Sequence, residues 1–185
     1  MIVLRPLRRR DRDEWFALRA ANTGWTRPWE PSSPMGAVPQ VSFTRYVRSL
    51  DADGRTGASL TLAIEVGLQI IGQIQLFGVA RGSLQSSAVG YWVAQHMGRQ
   101  GIAPRAVAMV VDHAFGAMGL HRVEVNIRPD NVFSLRVVEK LGLRDEGLRE
   151  RFLHIDGVWR DHRSFALTAD ELGDRPLRDR LRGLP

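Results

Sequence analysis

Between Ala88 and Ala117 the chain passes from a β-type run, Val89-Gly90-Tyr91-Trp92-Val93, through a glycine-bearing turn, Gly98-Arg99-Gln100-Gly101, into an apolar helical segment that starts at Ile102. This order constrains the fold more than any other feature. Glycine lets another molecule approach the backbone closely, and the first N–H groups of the helix have no intrahelical partner. Donors and helix dipole together favour negative charge, so the corner suits phosphate oxygens. Similar corners occur in α/β proteins that bind nothing, and the chemistry has to come from what surrounds it.

The 185 residues suffice for one domain with a single core. With no cysteine, neither a disulfide framework nor a thiolate metal site is possible. The five histidines show no metal-ligand spacing, so no metal is expected. No run is long enough to span a membrane, and the N-terminal MIVLRPLRRR carries its charge after its apolar residues, unlike a secretory signal. The expected compartment is the cytoplasm. The net charge of +6 is almost entirely arginine, Lys140 being the only lysine, and it favours polyanionic partners: nucleic acid or a phosphorylated cofactor.

Alternation predicts a strand over Ile2 to Leu7, and Asp11 is placed to cap an amphipathic helix running to about Asn22. Four prolines between Pro28 and Pro39 exclude a long helix, so Thr23 to Gln40 reads as a loop. Ser42 to Leu50 reads as helix and Asp51 to Gly54 as a turn. Strands follow over Leu60 to Val66, Gln69 to Val79 and the segment ending at Val93. Gly119 is placed to cap the helix after Ile102. Arg122 to Ile127 is a further strand, Val132 to Leu141 a helix ended by Gly142, and Leu148 to Ile155 with Trp159 to Leu167 a hairpin. Antiparallel meanders mixed with helical crossovers indicate one α/β (α+β) domain on a mixed sheet, residues 1–170. Residues 171–185 form a polar, arginine-rich tail, either a short docked helix or disordered. No G-x-G-x-x-G follows an early strand, which argues against a dinucleotide-binding fold.

Four stretches carry a resemblance: Arg27-Pro28-Trp29-Glu30-Pro31; Arg81-Gly82-Ser83 leading to Gly90-Tyr91-Trp92; Asn131 and Ser134 ahead of Glu139-Lys140-Leu141-Gly142; and Ile155-Asp156-Gly157 before Trp159-Arg160-Asp161-His162. Through them the chain resembles the Gcn5-related N-acetyltransferase (GNAT) superfamily over most of its length. More narrowly, it resembles the RimJ/RimL-type enzymes that acetylate the N-terminal alanine of a ribosomal protein. The resemblance implies a GNAT-type domain with a mostly antiparallel mixed sheet of about seven strands flanked by helices. It implies acetyl-CoA as co-substrate, lying in a V-shaped gap between the strand ending at Val93 and the strand Val123 to Ile127. Backbone groups of Trp92, Val93 and Gln95 would pair with the pantetheine arm, and Asn131 would also contact it. The amides of Arg99, Gln100, Gly101, Ile102 and Ala103 would hold the pyrophosphate, with Arg99 and Arg105 either meeting phosphates or remaining solvated. Gly98 stands where the family motif begins with glutamine or arginine, and Arg105 where relatives often carry glutamate.

Acetyl transfer to an amine needs a neutral nucleophile, a polarised thioester and a proton for the departing thiolate. An α-amine, with a pKa of about 7.7–8.0, is roughly ten per cent neutral at pH 7, so an N-terminal acceptor needs little base strength. Ser134 matches the family serine that protonates the thiolate; helix capping is its competing role. Glu30 is the first candidate base and Glu124 the second; binding the acceptor's ammonium group or capping the loop competes for Glu30, and an outward-facing strand position for Glu124. Trp25, Trp29, Glu30, Tyr91 and Trp159 are the candidates for contacting the acceptor. The implied activity is direct transfer to the N-terminus of a protein, a ribosomal one beginning with alanine or serine, by a monomer or homodimer near the ribosome or RNA. Two alternatives stand beside it: acetylation of a small amine such as an antibiotic or polyamine, and a non-enzymatic RNA or ribosome-assembly module.

Overall fold

The computed structural model describes residues 1–36 and 41–181. The elements in chain order are β1 (Ile2–Arg5), α1 (Arg12–Ala21), α2 (Thr23–Thr26), α3 (Phe43–Thr56), β2 (Leu60–Val66), β3 (Gln69–Ala80), β4 (Ser86–Val93), α4 (Ile102–Gly116), β5 (Arg122–Ile127), α5 (Val132–Leu141), β6 (Arg144–Ile155), β7 (Val158–Thr168) and α6 (Ala169–Leu172). The strands make one sheet in the order β1-β2-β3-β4-β5-β7-β6. Every pair is antiparallel except β4 with β5. This is the mixed, mostly antiparallel sheet expected from the sequence, and it is consistent with a GNAT fold.

Apolar burial fixes the layers. In α4, Ile102, Ala106, Val107, Val110, Val111 and Ala114 are buried with Ile74, Leu76 and Val89 of the sheet and with Val138 and Leu141 of α5. Pro104 falls in the first turn of α4, where a missing N–H costs nothing. On the opposite face, Trp15 of α1 and Phe43 and Val47 of α3 close over Ala63 and Ile70 with Leu7.

Several local expectations are corrected. Asp51 to Gly54 is not a turn: α3 continues to Thr56 and stops at Gly57, which takes the left-handed conformation (φ 71°). Ala52, Asp53 and Gly54 lie on the exposed side of that helix, where packing does not penalise turn-forming residues. Asp11 stands at the start of α1 but does not cap it with its side chain. Its buried carboxylate instead accepts from Arg5 at 2.6 Å and from the Arg8 amide at 2.7 Å. Burial pushes the Asp11 carboxyl up, but those hydrogen bonds and the Arg5 charge outweigh it and hold it low. The segment read as a loop contains α2 and a 3-10 turn at Arg27–Trp29. Its residues 37–40 lie outside the described ones. The cap of α4 is Ala117, with Gly119 taking positive φ (62°) two residues later. β6 begins at Arg144 because two bulges, between Asp145 and Leu148 and between Arg149 and Leu153, break the alternation that marks a strand in sequence.

Beyond β7, the C-terminal segment packs on the domain. Leu177 is fully buried in the main core, its N–H donates to Asp112 of α4 at 2.5 Å, and Arg180 donates to the Leu141 carbonyl at 2.7 Å. Residues 182–185 of the tail lie outside the described ones.

The end of β4 bends against β3 at one site. Gly72 pairs with Val93, and a Cβ there would lie 2.2 Å from the Trp92 carbonyl oxygen and 3.0 Å from the Val93 Cα. Only glycine permits this approach. Gly72→Ala is therefore expected to lower stability by about 1–3 kcal/mol, the usual cost of forcing backbone apart. Urea unfolding reads the effect as a lower midpoint, and an unchanged midpoint would refute the steric account.

Candidate functional site

β4 and β5 are paired over only three positions, Ser86 to Ala88 against Arg122 to Glu124. Beyond Ala88 the two strands part, and the edge of β4 from Val89 to Val93 faces a gap. Side chains of the first helices reach its end: Trp25 Nε1–H donates to the Val93 carbonyl at 3.1 Å, and Asn22 Oδ1 accepts the Gln95 amide at 2.8 Å. Trp92, whose ring lies 5.7 Å from Trp15 and under the Arg19 guanidinium, is packed in the second core cluster.

The turn after β4 presents backbone donors. Arg99 (φ 63°) and Gly101 (φ 69°) both adopt left-handed conformations, and Gly101 precedes the first residue of α4 with no side-chain cap. Successive N–H groups in such a turn form an anion-binding concavity. Among the described residues, none supplies an acceptor to the amides of Arg99, Gln100, Gly101, Ile102 or Ala103. The series ends at Pro104, which has no N–H, and at Arg105, whose N–H returns to the Gly101 carbonyl at 3.4 Å. The Arg105 guanidinium lies against Gly101, where a Cβ would sit 3.5 Å from it. Neither Arg99 nor Arg105 has a carboxylate within ion-pair distance among the described residues. The N-terminus of α4 thus offers backbone donors, helix potential and two guanidinium groups to an anion.

Across the gap, α5 starts at Asn131, whose Oδ1 accepts the Ser134 amide at 3.1 Å. Asn131 is the cap. Ser134 is the residue being capped, and its half-buried hydroxyl takes no part in closing the helix. The Ser134 hydroxyl lies beside the phenolic oxygen of Tyr91 on β4, which is buried and makes no hydrogen bond of ordinary geometry among the described residues. Phe133, next to Ser134, packs against Trp25 with ring centroids 5.3 Å apart. The structure therefore brings Trp25, Tyr91, Val93, Asn131 and Ser134 together at one mouth.

Glu30 lies on the α1 side. Its Oε2 accepts from Arg19 Nη2 at 2.9 Å, and its Oε1 stands 2.7 Å from Nη1. Burial pushes the Glu30 carboxyl up, but hydrogen bonds from Arg19 and Thr26 and the Arg19 charge more than offset this and leave it below the ordinary value. Such a carboxylate is a stable anion and a weak base. Glu124 is farther from free: both of its oxygens are engaged, one by Arg122 and the other by Arg149, in a network that continues to Glu146 and Arg144. Trp29 sits under the Arg128 guanidinium at 5.1 Å. Trp159 is half-exposed at the β6–β7 hairpin and meets the edge of His154 at 5.6 Å. The three candidate tryptophans thus have separate ring partners, Trp25 with Phe133, Trp29 with Arg128 and Trp159 with His154.

Sequence reasoning missed the contacts that tie these pieces together. Asn22 and Arg19 reach Gln95 and Glu30 from α1, and Ser32 binds His154 while Arg27 pairs with Asp156 at 2.9 Å, fastening the early loop to the hairpin. No local pattern signals such partners, because they are distant in the chain. The Tyr91–Ser134 meeting had a partial signal: alternation along β4 places Tyr91 on the α4 and α5 face with Val89 and Val93.

The model of the acetyltransferase (GNAT) domain family matches residues 2–144. The Probable N-acetyltransferase YjcK of Bacillus subtilis (strain 168) is 32% identical over 173 residues, 90% of this chain and 93% of that protein. The ribosomal protein uS5-alanine N-acetyltransferase of Escherichia coli (strain K12) is 27% identical over 165 residues, 87% of this chain and 85% of that protein. Among solved structures, Mycobacterium smegmatis RimJ in complex with CoA-disulfide shares 39% identity at a TM-score of 0.90, covering 97% of this chain and 87% of that one.

The Arg19–Glu30 pair makes a measurable claim. In Arg19→Met, burial acts on Glu30 against weaker opposition, so its carboxyl titrates at higher pH than in the parent, as read by carboxyl-carbon NMR. The parent's folded value lies below the unfolded one. Its contribution to stability is therefore present above the unfolded value and is lost as pH falls through the folded value. Arg19→Met should flatten that acid-side loss, and an identical titration midpoint in both proteins would refute the pairing.

Proposed function

The chain belongs to the acetyltransferase (GNAT) family, and from that premise we propose that it transfers an acetyl group from acetyl-CoA to the N-terminal α-amine of a ribosomal protein beginning with alanine or serine. It is an enzyme of the acyltransferase class. The observation that carries the reading is the run of amides from Arg99 to Ala103 that find no acceptor among the described residues, set beside a sheet that opens between β4 and β5. Those groups suit the diphosphate and pantetheine portions of acetyl-CoA, which supplies an activated acyl group as a thioester. The Val93 carbonyl and Gln95 amide, engaged by Trp25 and Asn22, would exchange these partners for the pantetheine amides. Arg105 and Arg99 then add charge at the phosphates.

The protein acceptor is supported by likeness to the uS5-alanine N-acetyltransferase and to RimJ. Chemistry agrees with it. An α-amine is already neutral in about a tenth of molecules at pH 7 and needs no strong base, and this site offers none: Glu30 is held anionic by Arg19. We assign Glu30 to attracting the acceptor's ammonium end, and Glu124 to the ion-pair network of the outer sheet. In transfer, a C–N bond forms at the acyl carbon and the C–S bond breaks. Ser134 gives its Oγ proton to the sulfur and recovers one through water from the amine nitrogen. For an acceptor displayed on a ribosome, whose RNA is anionic, the net charge of +6 would also raise the encounter rate.

Two measurements decide the reading. A panel of Ala- and Ser-starting peptides set against polyamines and aminoglycosides should show turnover with the peptides; turnover confined to free amines would give the site to small molecules. Ser134→Ala should lower kcat by about 10²–10⁴-fold with acetyl-CoA affinity retained, and an unchanged kcat would remove Ser134 as the proton donor.

A further inference from the structure

Most buried hydroxyls in proteins have a partner, because an unpaired one loses its hydrogen bonds to water and gains nothing in return. Tyr91 departs from this. Its side chain is packed against the main core from β4, paired across the sheet with Ile74, and its oxygen is shut off from solvent with no hydrogen bond of ordinary geometry among the described residues. The group it faces is the Ser134 hydroxyl. Ser134 in turn is released from capping duty because Asn131 closes α5. Two hydroxyls therefore meet at the mouth of the gap, neither committed to holding the fold.

We propose that Tyr91 is a positioning residue for acetyl transfer: in the reactive complex its O–H donates to Ser134 Oγ, and this turns the Ser134 proton toward the departing sulfur. The proposal rests on the reading of Ser134 as proton donor. A serine hydroxyl rotates freely and has one proton and two lone pairs. A fixed donor aimed at one lone pair leaves the serine proton to point elsewhere, and the gap is the open direction. Hydrogen bonds of this kind are commonly long or misaligned without substrate and tighten when it binds. Tyr91 keeps its own proton throughout, so the transfer stays balanced as one proton from Ser134 to sulfur. Burial pushes the Tyr91 phenol up to about 12, with Ser134 pulling modestly the other way, so it remains a donor over the whole working range of pH.

The test is a double-mutant cycle with Tyr91→Phe and Ser134→Ala, read in kcat, in KM for acetyl-CoA and in melting temperature. Tyr91→Phe should lower kcat about 3- to 10-fold, the range that one hydrogen bond supplies, with KM for acetyl-CoA unchanged. In the Ser134→Ala background the same change should cost nothing further. Because the phenolic oxygen has no partner to lose, the melting temperature of Tyr91→Phe should equal or exceed that of the parent. Equal losses in both backgrounds, a parental kcat in Tyr91→Phe, or a lowered melting temperature would each overturn the positioning role. A parental kcat in Ser134→Ala would overturn the donor assignment and the Tyr91 role with it. A deep loss in Ser134→Ala beside a parental kcat in Tyr91→Phe would overturn the Tyr91 role alone.

Discussion

Parallel pairing between β4 and β5 stops after Ala88 and Glu124, and the arrangement of the molecule follows from how that interruption is sustained. A sheet that opens in its middle leaves main-chain groups without a neighbouring strand, and buried ones must find partners. Here they are met from the side. Trp25 and Asn22 come from the first helices to the Val93 carbonyl and the Gln95 amide, and Gly72 allows the end of β4 to lean toward β3. The opening is thus an assembled feature. It lies between two helix starts, α4 with uncommitted amides and α5 with its asparagine cap, so both walls meet the gap with the positive ends of their dipoles.

The two helix starts are closed differently, and the difference carries chemical meaning. α5 is completed by a side chain, which frees Ser134; α4 is left open at Gly101, which frees a row of N–H donors. An ordinary fold gains from closing both. Leaving one open and setting a phenol without an acceptor behind the other sacrifices stability at the place where a reaction needs donors, a common trade in active sites.

Much of this was legible in the chain. The strand, turn and helix from Val89 to Ile102, the strand Arg122 to Ile127 and the helix Val132 to Leu141 stand where periodicity and glycine placed them, because each is read from its own residues. Asp51 to Gly54 misled because turn-forming residues are tolerated on the solvent side of a helix, and β6 was read short because its bulges erase alternation. At the site, residue types were informative and partnerships were not. Glu124 reads as a spare carboxylate in sequence, yet Arg122 and Arg149 occupy both of its oxygens, and Arg149 lies on a strand that the chain reaches only after another helix. The capping question at Ser134 needed one further fact, that Asn131 three residues earlier fills the role.

The seating of Leu177 bears on what the domain consists of. α4 carries the amide row, and the segment after α6 locks onto its flank through Leu177 and Asp112. Because Leu177 is fully buried among core side chains, residues 177–181 are part of the domain's packing, and removing them would uncover apolar surface along α4.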